Sequence, residues 1–327
     1  MEEIKNPSGT SLLVPSVQEL AKENISTVPP RYIQPQQEHL DIYEADPILD
    51  IPVIDMQLLL SVESGISELA KLHLACKEWG FFQLVNHDVS TSLVEKVKLG
   101  IQDFFNLPMS EKKKFWQTSQ HMEGFGQAFV LSEDQILDWA DMFYMTTLPK
   151  HSRMPHLFPQ LPLPFRDTLE LYSQELKNLA MVIVANMGKA LKMEEMEMRD
   201  LFEDSIGFTI LLQVNEVEGL QIKKNGMWVP VKPLPNAFIV NVWDILEIIT
   251  NGIYRSIKHR ATVNSEKERL SIATFNSPRQ DGVIGPAASL ITEETPARFK
   301  RVEVKEYFKG LFARKLDGKS YIDSLRI

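Results

Sequence analysis

The sequence predicts a mixed α+β protein with a helical and α/β first half, followed by a jelly roll or a barrel. From Gly207 to Phe275, short apolar segments alternate with turn signals at even spacing, which is typical of that β architecture. Within this region Asn225-Gly226 stands between two apolar runs and indicates a tight hairpin. From Pro164 to Met193, by contrast, apolar residues recur at helical spacing over many turns.

Composition narrows the class of protein. With 327 residues and 44% apolar content, the chain can bury a full core in one large domain or two closely packed ones. The net charge of −9 argues against a nucleic-acid surface, because binding to phosphates requires a basic face, and it favours small neutral or cationic ligands. The single cysteine, Cys76, excludes an intrachain disulfide and lies in a helical pattern, where a buried residue is expected. We find no signal peptide and no apolar run that could span a bilayer, and we expect a cytoplasmic protein without a membrane partner.

The first two predicted regions are a proline-punctuated arm, residues 1–50, and an N-terminal α/β and helical region, residues 51–205. Apolar periodicity and capping residues predict the elements of the second region. They are a strand at Ile51–Asp55, a helix at Ile66–Trp79, a strand at Gly80–Val85, a helix from Ser90 to Phe105, a strand at Trp139–Thr147 and the long helix at Pro164–Met193.

The β core is predicted over residues 206–302, and a C-terminal helix and tail over residues 303–327. The helix is placed at Glu303–Arg314. The predicted strands are Phe208–Val214, Leu220–Lys223, Met227–Val231, Ala237–Asn241, Leu246–Ile249, Arg255–His259 and Arg269–Phe275.

Two features of the β region indicate chemistry. His259 is the only histidine after His156, so this region can supply one imidazole to a metal; an isolated histidine is more often a surface or core residue than a ligand. Arg269 stands two residues before Ser271 on an apolar strand, and a guanidinium beside a hydroxyl suits one end of a dicarboxylate. A structural arginine bonded to an acid in a loop explains the same pattern equally well.

Longer motifs resolve this ambiguity. The chain contains Ile51-Pro52-Val53-Ile54-Asp55, the run from Ala75 to His87, Glu123-Gly124-Phe125-Gly126-Gln127, Leu137-Asp138-Trp139 and a nearly continuous match from Thr209 to Phe275. In these motifs it resembles the plant 2-oxoglutarate- and Fe(II)-dependent dioxygenases, above all the group of senescence-related dioxygenase-like proteins and the thebaine and codeine O-demethylases.

The resemblance implies a distorted double-stranded β-helix, a cupin-like jelly roll, behind the N-terminal α/β region. It also implies Fe(II) and 2-oxoglutarate as cofactors and a small-molecule substrate, an alkaloid or a phenolic. His259 would be the distal iron ligand, and Arg269 and Ser271 would hold the far carboxylate of 2-oxoglutarate.

One departure from the family pattern affects the iron site directly. Where the family has a strand with Asn-Tyr-Tyr-Pro-Pro-Cys and then a His-Ser-Asp ligand pair, this chain passes from Leu201-Phe202-Glu203-Asp204 directly into Ser205-Ile206-Gly207. Alignment from the right places Asp204 at the ligand aspartate and Phe202 at the histidine, whereas alignment from the left makes the same residues the end of the preceding helix; neither alignment restores an imidazole. The resemblance therefore leaves at best Asp204 and His259 as metal ligands, and it predicts a core that lacks one or two strands.

Other residues differ from the pattern or imitate it. Trp243 stands where the family commonly has glycine, and Asp88 replaces a glycine at a turn. His39-Leu40-Asp41 and His121-Met122-Glu123 have the spacing of the missing ligand pair but stand outside the β region, so neither is expected to bind the metal.

The leading hypothesis is therefore a divergent dioxygenase whose iron site is defective. A second is metal-independent condensation or isomerisation of the norcoclaurine-synthase type, with Asp204, Asp244 and Glu247 as candidate acids and bases. A working hydroxylase or O-demethylase with an unidentified ligand, and a protein that only binds a small molecule, complete the alternatives.

Overall fold

The computed structural model describes residues 12–23, 27–33, 50–118, 121, 123–127, 130, 132–194, 197, 207–264, 266–276, 281–312 and 320–327. The α-helices are Val17–Leu20, Met56–Leu60, Gly65–Leu74, Thr91–Asn106, Met109–Lys112, Phe165–Leu191, Asp244–Ile249, Val304–Phe312 and Ser320–Ser324. The strands are β1 (Val53–Asp55), β2 (Phe81–Val85), β3 (Gly124–Gly126), β4 (Met142–Tyr144), β5 (Phe208–Gln213), β6 (Leu220–Lys224), β7 (Met227–Pro230), β8 (Phe238–Val242), β9 (His259–Ala261), β10 (Ser271–Asn276), β11 (Val283–Ile284) and β12 (Val302–Glu303). No helix among these residues is long and apolar enough to cross a membrane.

The chain folds into two compact units. The first comprises Met1–Leu40, Glu95–Ser173 and Phe308–Leu316. Its described residues include β3, which pairs antiparallel with β4. An aromatic cluster packs around Phe104, whose ring stacks on Phe143 at 4.5 Å between centroids and meets Phe115 edge-on at 5.5 Å. Burial of rings in such pairs stabilises this small unit beyond the area that they remove from water.

The second unit, Asp41–Val94, Gln174–Tyr307 and Asp317–Ile327, contains the two main sheets. The larger sheet has the strand order β1-β2-β8-β5-β10, and only β1 and β2 are parallel. The smaller sheet has the order β7-β6-β9 and is antiparallel throughout. The turn between β6 and β7 uses Asn225 and Gly226 with φ of 51° and 84°, so the predicted tight hairpin is confirmed.

The two sheets pack face to face. Phe81 and Ile239 from the larger sheet form one buried cluster with Leu220, Ile222 and Val229 from the smaller sheet, and Leu211 packs against it. Side chains of one parity along each strand therefore point between the sheets, as in a sandwich. This arrangement is the distorted double-stranded β-helix expected for the chain, and the mixed α+β prediction is confirmed.

Two of the predicted strands are wrong. The segment Leu246–Ile249 belongs to the helix Asp244–Ile249, whose residues 245–249 are all buried, including Glu247. A short segment of this kind shows neither the helical nor the strand period clearly. The strand predicted at Arg255–His259 begins only at His259, because the backbone N–H of Arg255 donates to the carbonyl of Cys76 instead of joining the ladder.

Candidate functional site

The register of the larger sheet decides which side chains point between the sheets. Ser271 lies opposite Gln213, Ala273 opposite Leu211, and Phe275 opposite Thr209. Cross-strand partners share a face, and Leu211 packs on the core between the sheets. Both Ser271 and Gln213 therefore face the inside of the β-helix.

Arg269 lies beside these two inward-facing residues. Its Nη2 donates to Gln213 Oε1 at 2.8 Å and its Nη1 to Ser271 Oγ at 3.3 Å, while its Nε is buried without a hydrogen-bond partner. Burial lowers the pKa of Arg269, although the guanidinium of an arginine stays charged at any physiological pH. Among the described residues no carboxylate forms an ion pair with Arg269, and the acceptors that the structure shows for its guanidinium are neutral.

Gln213 is a site residue that the motifs of the sequence do not single out. Its Nε2 donates to the carbonyl of Val217 at 2.6 Å, which holds its Oε1 towards Arg269. The strand does contain one hint of this role. Gln213 is polar and alternates with Thr209 and Leu211, so all three side chains lie on the same face of β5. Only the pairing of β5 with β10 shows that this face points towards Arg269.

His259 begins β9 and lies opposite Ile222, a fully buried residue of the core between the sheets. Its ring meets Phe81 edge-on at 5.3 Å between centroids, which places the imidazole on the inner side. The ring is nevertheless exposed, because β9 is the edge strand of the smaller sheet. Nδ1 lies 3.3 Å from the carbonyl of Ile257, and a backbone contact of this kind commonly orients a metal-binding imidazole.

Among the described residues, the donors around His259 do not make up an Fe(II) site. In the part of the chain that the structure describes, no three His, Cys, Asp or Glu side chains come together as a metal-binding group. Fe(II) oxygenases need two imidazoles and a carboxylate, and the sequence has no histidine between His156 and His259. Asp204 and Phe202 lie outside the described residues, as do His39, Asp41 and Met122 of the alternative ligand pairs, so Asp204 as a ligand stays a prediction.

Trp243, the unusual residue of the sequence, also belongs to the inner side. Its indole Nε1 donates a short hydrogen bond to Thr209 Oγ1, and its ring lies 5.2 Å from that of Phe275. Asn241 lies between these groups and Phe81, and it is only 5% exposed. The indole and the ring of Phe275 form an aromatic wall at one end of the inner face.

Glu247 and Asp244 make contacts that stabilise the fold. Glu247 is 4% exposed, and it accepts from the backbone N–H of Ser256 at 2.9 Å and from Arg326 at 2.8 Å. This ion pair anchors the C-terminal residues of the chain. Asp244 begins the helix Asp244–Ile249, where a carboxylate stabilises the helix N-terminus. Catalytic roles for the two acids stay a prediction.

Asp88 has φ of 63°, a left-handed conformation in the turn after β2. Glycine adopts this conformation without strain and aspartate tolerates it, so the replacement affects only the turn.

Comparison with known proteins places this geometry in a family. Residues 51–161 match the N-terminal region of the non-haem dioxygenases described for morphine synthesis, and residues 183–278 match the 2OG-Fe(II) oxygenase superfamily. The chain belongs to the plant 2-oxoglutarate/Fe(II) oxygenases. The resemblance seen in the sequence motifs is therefore confirmed.

Individual relatives agree with this assignment. Protein SRG1 of Arabidopsis thaliana is 56% identical, with 97% of this chain and 98% of that protein covered. Thebaine 6-O-demethylase of Papaver somniferum is 52% identical, with 98% of both chains covered. S-norcoclaurine synthase 1 of Coptis japonica is 43% identical, again with 98% of both covered. Among solved oxygenases, the crystal structure of JOX2 in complex with 2OG, Fe and JA has a TM-score of 0.86 at 30% identity, covering 98% of this chain and 99% of that chain.

The alignments also show that the chain is short for this family. The alignment with protein SRG1 runs over 349 positions and the one with thebaine 6-O-demethylase over 355 positions, while this chain has 327 residues. Each relative therefore contains residues without a counterpart here.

Proposed function

We propose that this chain is a divergent 2-oxoglutarate/Fe(II) oxygenase that retains the carboxylate-binding residues of the family but has a defective iron site. The observation that carries the proposal is the contrast within one inner face. Arg269, Ser271 and Gln213 are assembled for an anion. His259, in contrast, is the single imidazole that the β region can supply.

The residues of the inner face suit 2-oxoglutarate better than they suit Fe(II). Arg269 and Ser271 would hold the far carboxylate of 2-oxoglutarate, with Gln213 orienting the guanidinium. When bound, Fe(II) would supply open coordination positions for the cosubstrate and dioxygen. Even changes to groups behind the metal ligands reduce metal affinity by about 10 to 100-fold, so the loss of an imidazole ligand is expected to cost more.

We further infer that the bound organic molecule is a small aromatic metabolite, an alkaloid or a phenolic. The relatives that support this are thebaine 6-O-demethylase and the oxoglutarate-dependent flavonoid 7-O-demethylase 1 of Ocimum basilicum. The aromatic wall of Trp243 and Phe275 suits a planar ring. The acidic net charge fits neutral or cationic ligands rather than nucleic acid, and we place the protein in the cytoplasm.

The direct test is turnover of 2-oxoglutarate. The purified chain is incubated with Fe(II), ascorbate and 2-oxoglutarate, and succinate formation and bound iron are measured. We expect less than about 1% of the succinate formation of a relative such as thebaine 6-O-demethylase assayed alongside, because the loss of an imidazole ligand should cost more than the roughly 100-fold that the largest changes behind metal ligands cost. His259→Ala is the matched variant, and because it removes the remaining imidazole it should lower any iron-dependent residual rate further. Stoichiometric iron with a normal rate would contradict the proposal.

A second candidate function is metal-independent condensation or isomerisation, and the relative that favours it is S-norcoclaurine synthase 1. In this hypothesis Asp204, Asp244 and Glu247 supply acid and base catalysis. Product formation from an amine and an aldehyde in the presence of a chelator would support it. Loss of that conversion when the chelator is added would exclude it.

A further inference from the structure

Among the described residues, β10 is the last strand at one end of the larger sheet, and no further strand pairs with it. It ends the strand order β1-β2-β8-β5-β10, and the backbone N–H of Val214 donates to the carbonyl of Leu270 just before it. Hydrogen bonding alternates along an antiparallel strand, so the even-numbered residues of β10 bond to β5. The N–H and C=O groups of Ser271, Ala273 and Phe275 therefore point away from the sheet, and no described residue pairs with them.

The strand itself lacks the sequence features that normally prevent an edge from pairing with another chain. The sequence of β10 is Ser-Ile-Ala-Thr-Phe-Asn, without a charge, a proline or a glycine. Phe275 is 48% exposed although it belongs to the inner face. Long, uncharged and apolar edge strands are the ones that recruit a further strand.

We propose that β10 is a dimerisation strand, on which a second copy of this chain adds its own β10 in antiparallel orientation. A two-fold axis perpendicular to the sheet carries inner face onto inner face, so residues of equal parity must lie opposite each other. Axes at Ile272, Ala273 and Thr274 all meet this condition, and the axis at Ala273 is the one that pairs the outward groups of all three odd-numbered residues within β10, with Ser271 opposite the partner's Phe275. Because these odd-numbered residues are also those with outward N–H and C=O groups, this register satisfies the backbone pairing and the faces together.

A second copy is the occupant that these observations favour. Antiparallel pairing around a two-fold axis is self-complementary and closes both open edges at once, so the assembly ends at a dimer. It also places the exposed ring of Phe275 beside the partner's Ser271 and Ala273, which removes apolar surface from water. The inference does not need a working iron site, although it uses two residues, Ser271 and Phe275, that also belong to the inner face of the proposed site.

The first experiment measures mass against concentration by light scattering and sedimentation. The full chain is expected at twice its monomer mass of 37.4 kDa, with dissociation on dilution. Ala273→Pro removes only an N–H that points out of the sheet, and it should raise the dimer dissociation constant at least about tenfold, as loss of a paired edge contact predicts. Ala273→Ser keeps the N–H and nearly the same volume and should leave the dimer intact. Circular dichroism checks that both variants fold.

The second experiment tests the register by cysteine cross-linking. The natural cysteine, Cys76, is completely buried and gives no background. With copper phenanthroline as the oxidant, Ala273→Cys should form a dimer-linking disulfide, because facing residues lie about 5.5 Å apart, within the range that a disulfide spans. Ser271→Cys or Phe275→Cys alone should not cross-link, since each lies about 13 Å from its own copy along the strand. A mixture of these two variants should.

Several outcomes would overturn the proposal. A monomer at every concentration would show that β10 is covered within the chain, and a dimer insensitive to Ala273→Pro would place the interface elsewhere. Cross-linking of Ser271→Cys alone at the rate of Ala273→Cys would exclude the register and the two-fold axis at Ala273.

Discussion

Arg269 carries the strongest ligand signal among the individual residues. A guanidinium that is partly buried needs an anion or several neutral acceptors, and this one has two neutral acceptors and a buried Nε without a partner. No described carboxylate of a loop pairs with Arg269, which favours the interpretation as a ligand-binding residue over that of a structural arginine. The anion that completes the arrangement is expected to be a ligand.

Replacing Arg269 tests this directly. Arg269→Ala should weaken binding of 2-oxoglutarate in metal-free buffer by at least about tenfold, since hydrogen bonds to charged groups contribute roughly 1.5–3 kcal/mol. Isothermal titration calorimetry measures the affinity. Arg260→Ala is the matched control, because Arg260 lies over the ring of Trp228 at 3.9 Å and bonds to Gln221. Equal affinities for Arg269→Ala and the parent chain would refute the role.

Trp243 shows how one substitution is accommodated by its neighbours. The indole N–H donates to Thr209 Oγ1, and Thr209 is itself buried. We expect Trp243→Phe to lower the free energy of unfolding by about 1 kcal/mol, because the hydroxyl loses its donor while most ring contacts remain. Urea unfolding measures the change. In the Thr209→Val background, Trp243→Phe should lower the free energy of unfolding by measurably less. If the effects of the two substitutions on this free energy simply add, the hydrogen bond contributes nothing to stability.

At the scale of elements, patterns with a clear period were predicted well. The strands β2, β5, β6, β7 and β8, the long helix Phe165–Leu191 and the hairpin at Asn225-Gly226 lie where alternation, helical spacing and turn residues placed them. The helix Asp244–Ile249 was misassigned, since a short segment whose residues 245–249 are all buried shows neither period clearly. Local patterns therefore determine elements that have two different faces.

The edges of the sheets depend on pairing rather than on local pattern. Nothing within Ser271–Asn276 shows that it ends a sheet, because an edge strand and a central strand can have the same composition. The strand order shows it, and the order places His259 on β9 and Ser271 on β10 at the ends of their sheets. The mass and cross-linking measurements on β10 are thus tests of an element and not of a single side chain.

At the scale of the whole molecule, the shortened chain and the open edges suggest one common cause. The relatives contain residues without a counterpart here, and the family pattern places a strand and the His-Ser-Asp pair directly before Ser205. A missing strand pair would remove iron ligands and edge cover together.

A chimera tests this connection. Insertion of a family segment that ends in His-Ser-Asp between Asp204 and Ser205 is expected to raise iron-dependent succinate formation at least about tenfold, as recovery of a lost ligand predicts. It is also expected to make the protein monomeric. The control chimera, with alanine in place of the inserted histidine, should be monomeric and inactive. If the chimera stays dimeric and inactive, the missing segment is not the cause of either the unpaired edge or the defective iron site.

The sequence by itself determined the family, the order of most elements and the identity of His259, Arg269 and Ser271 as the residues to examine, because motifs and periodicity are local properties of the chain. Only the tertiary structure brought Gln213 to Arg269, joined Trp243 to Thr209 and placed β9 and β10 at the ends of their described sheets. These contacts join residues that are distant along the chain, and their partners are selected by sheet register and packing, which no local pattern encodes.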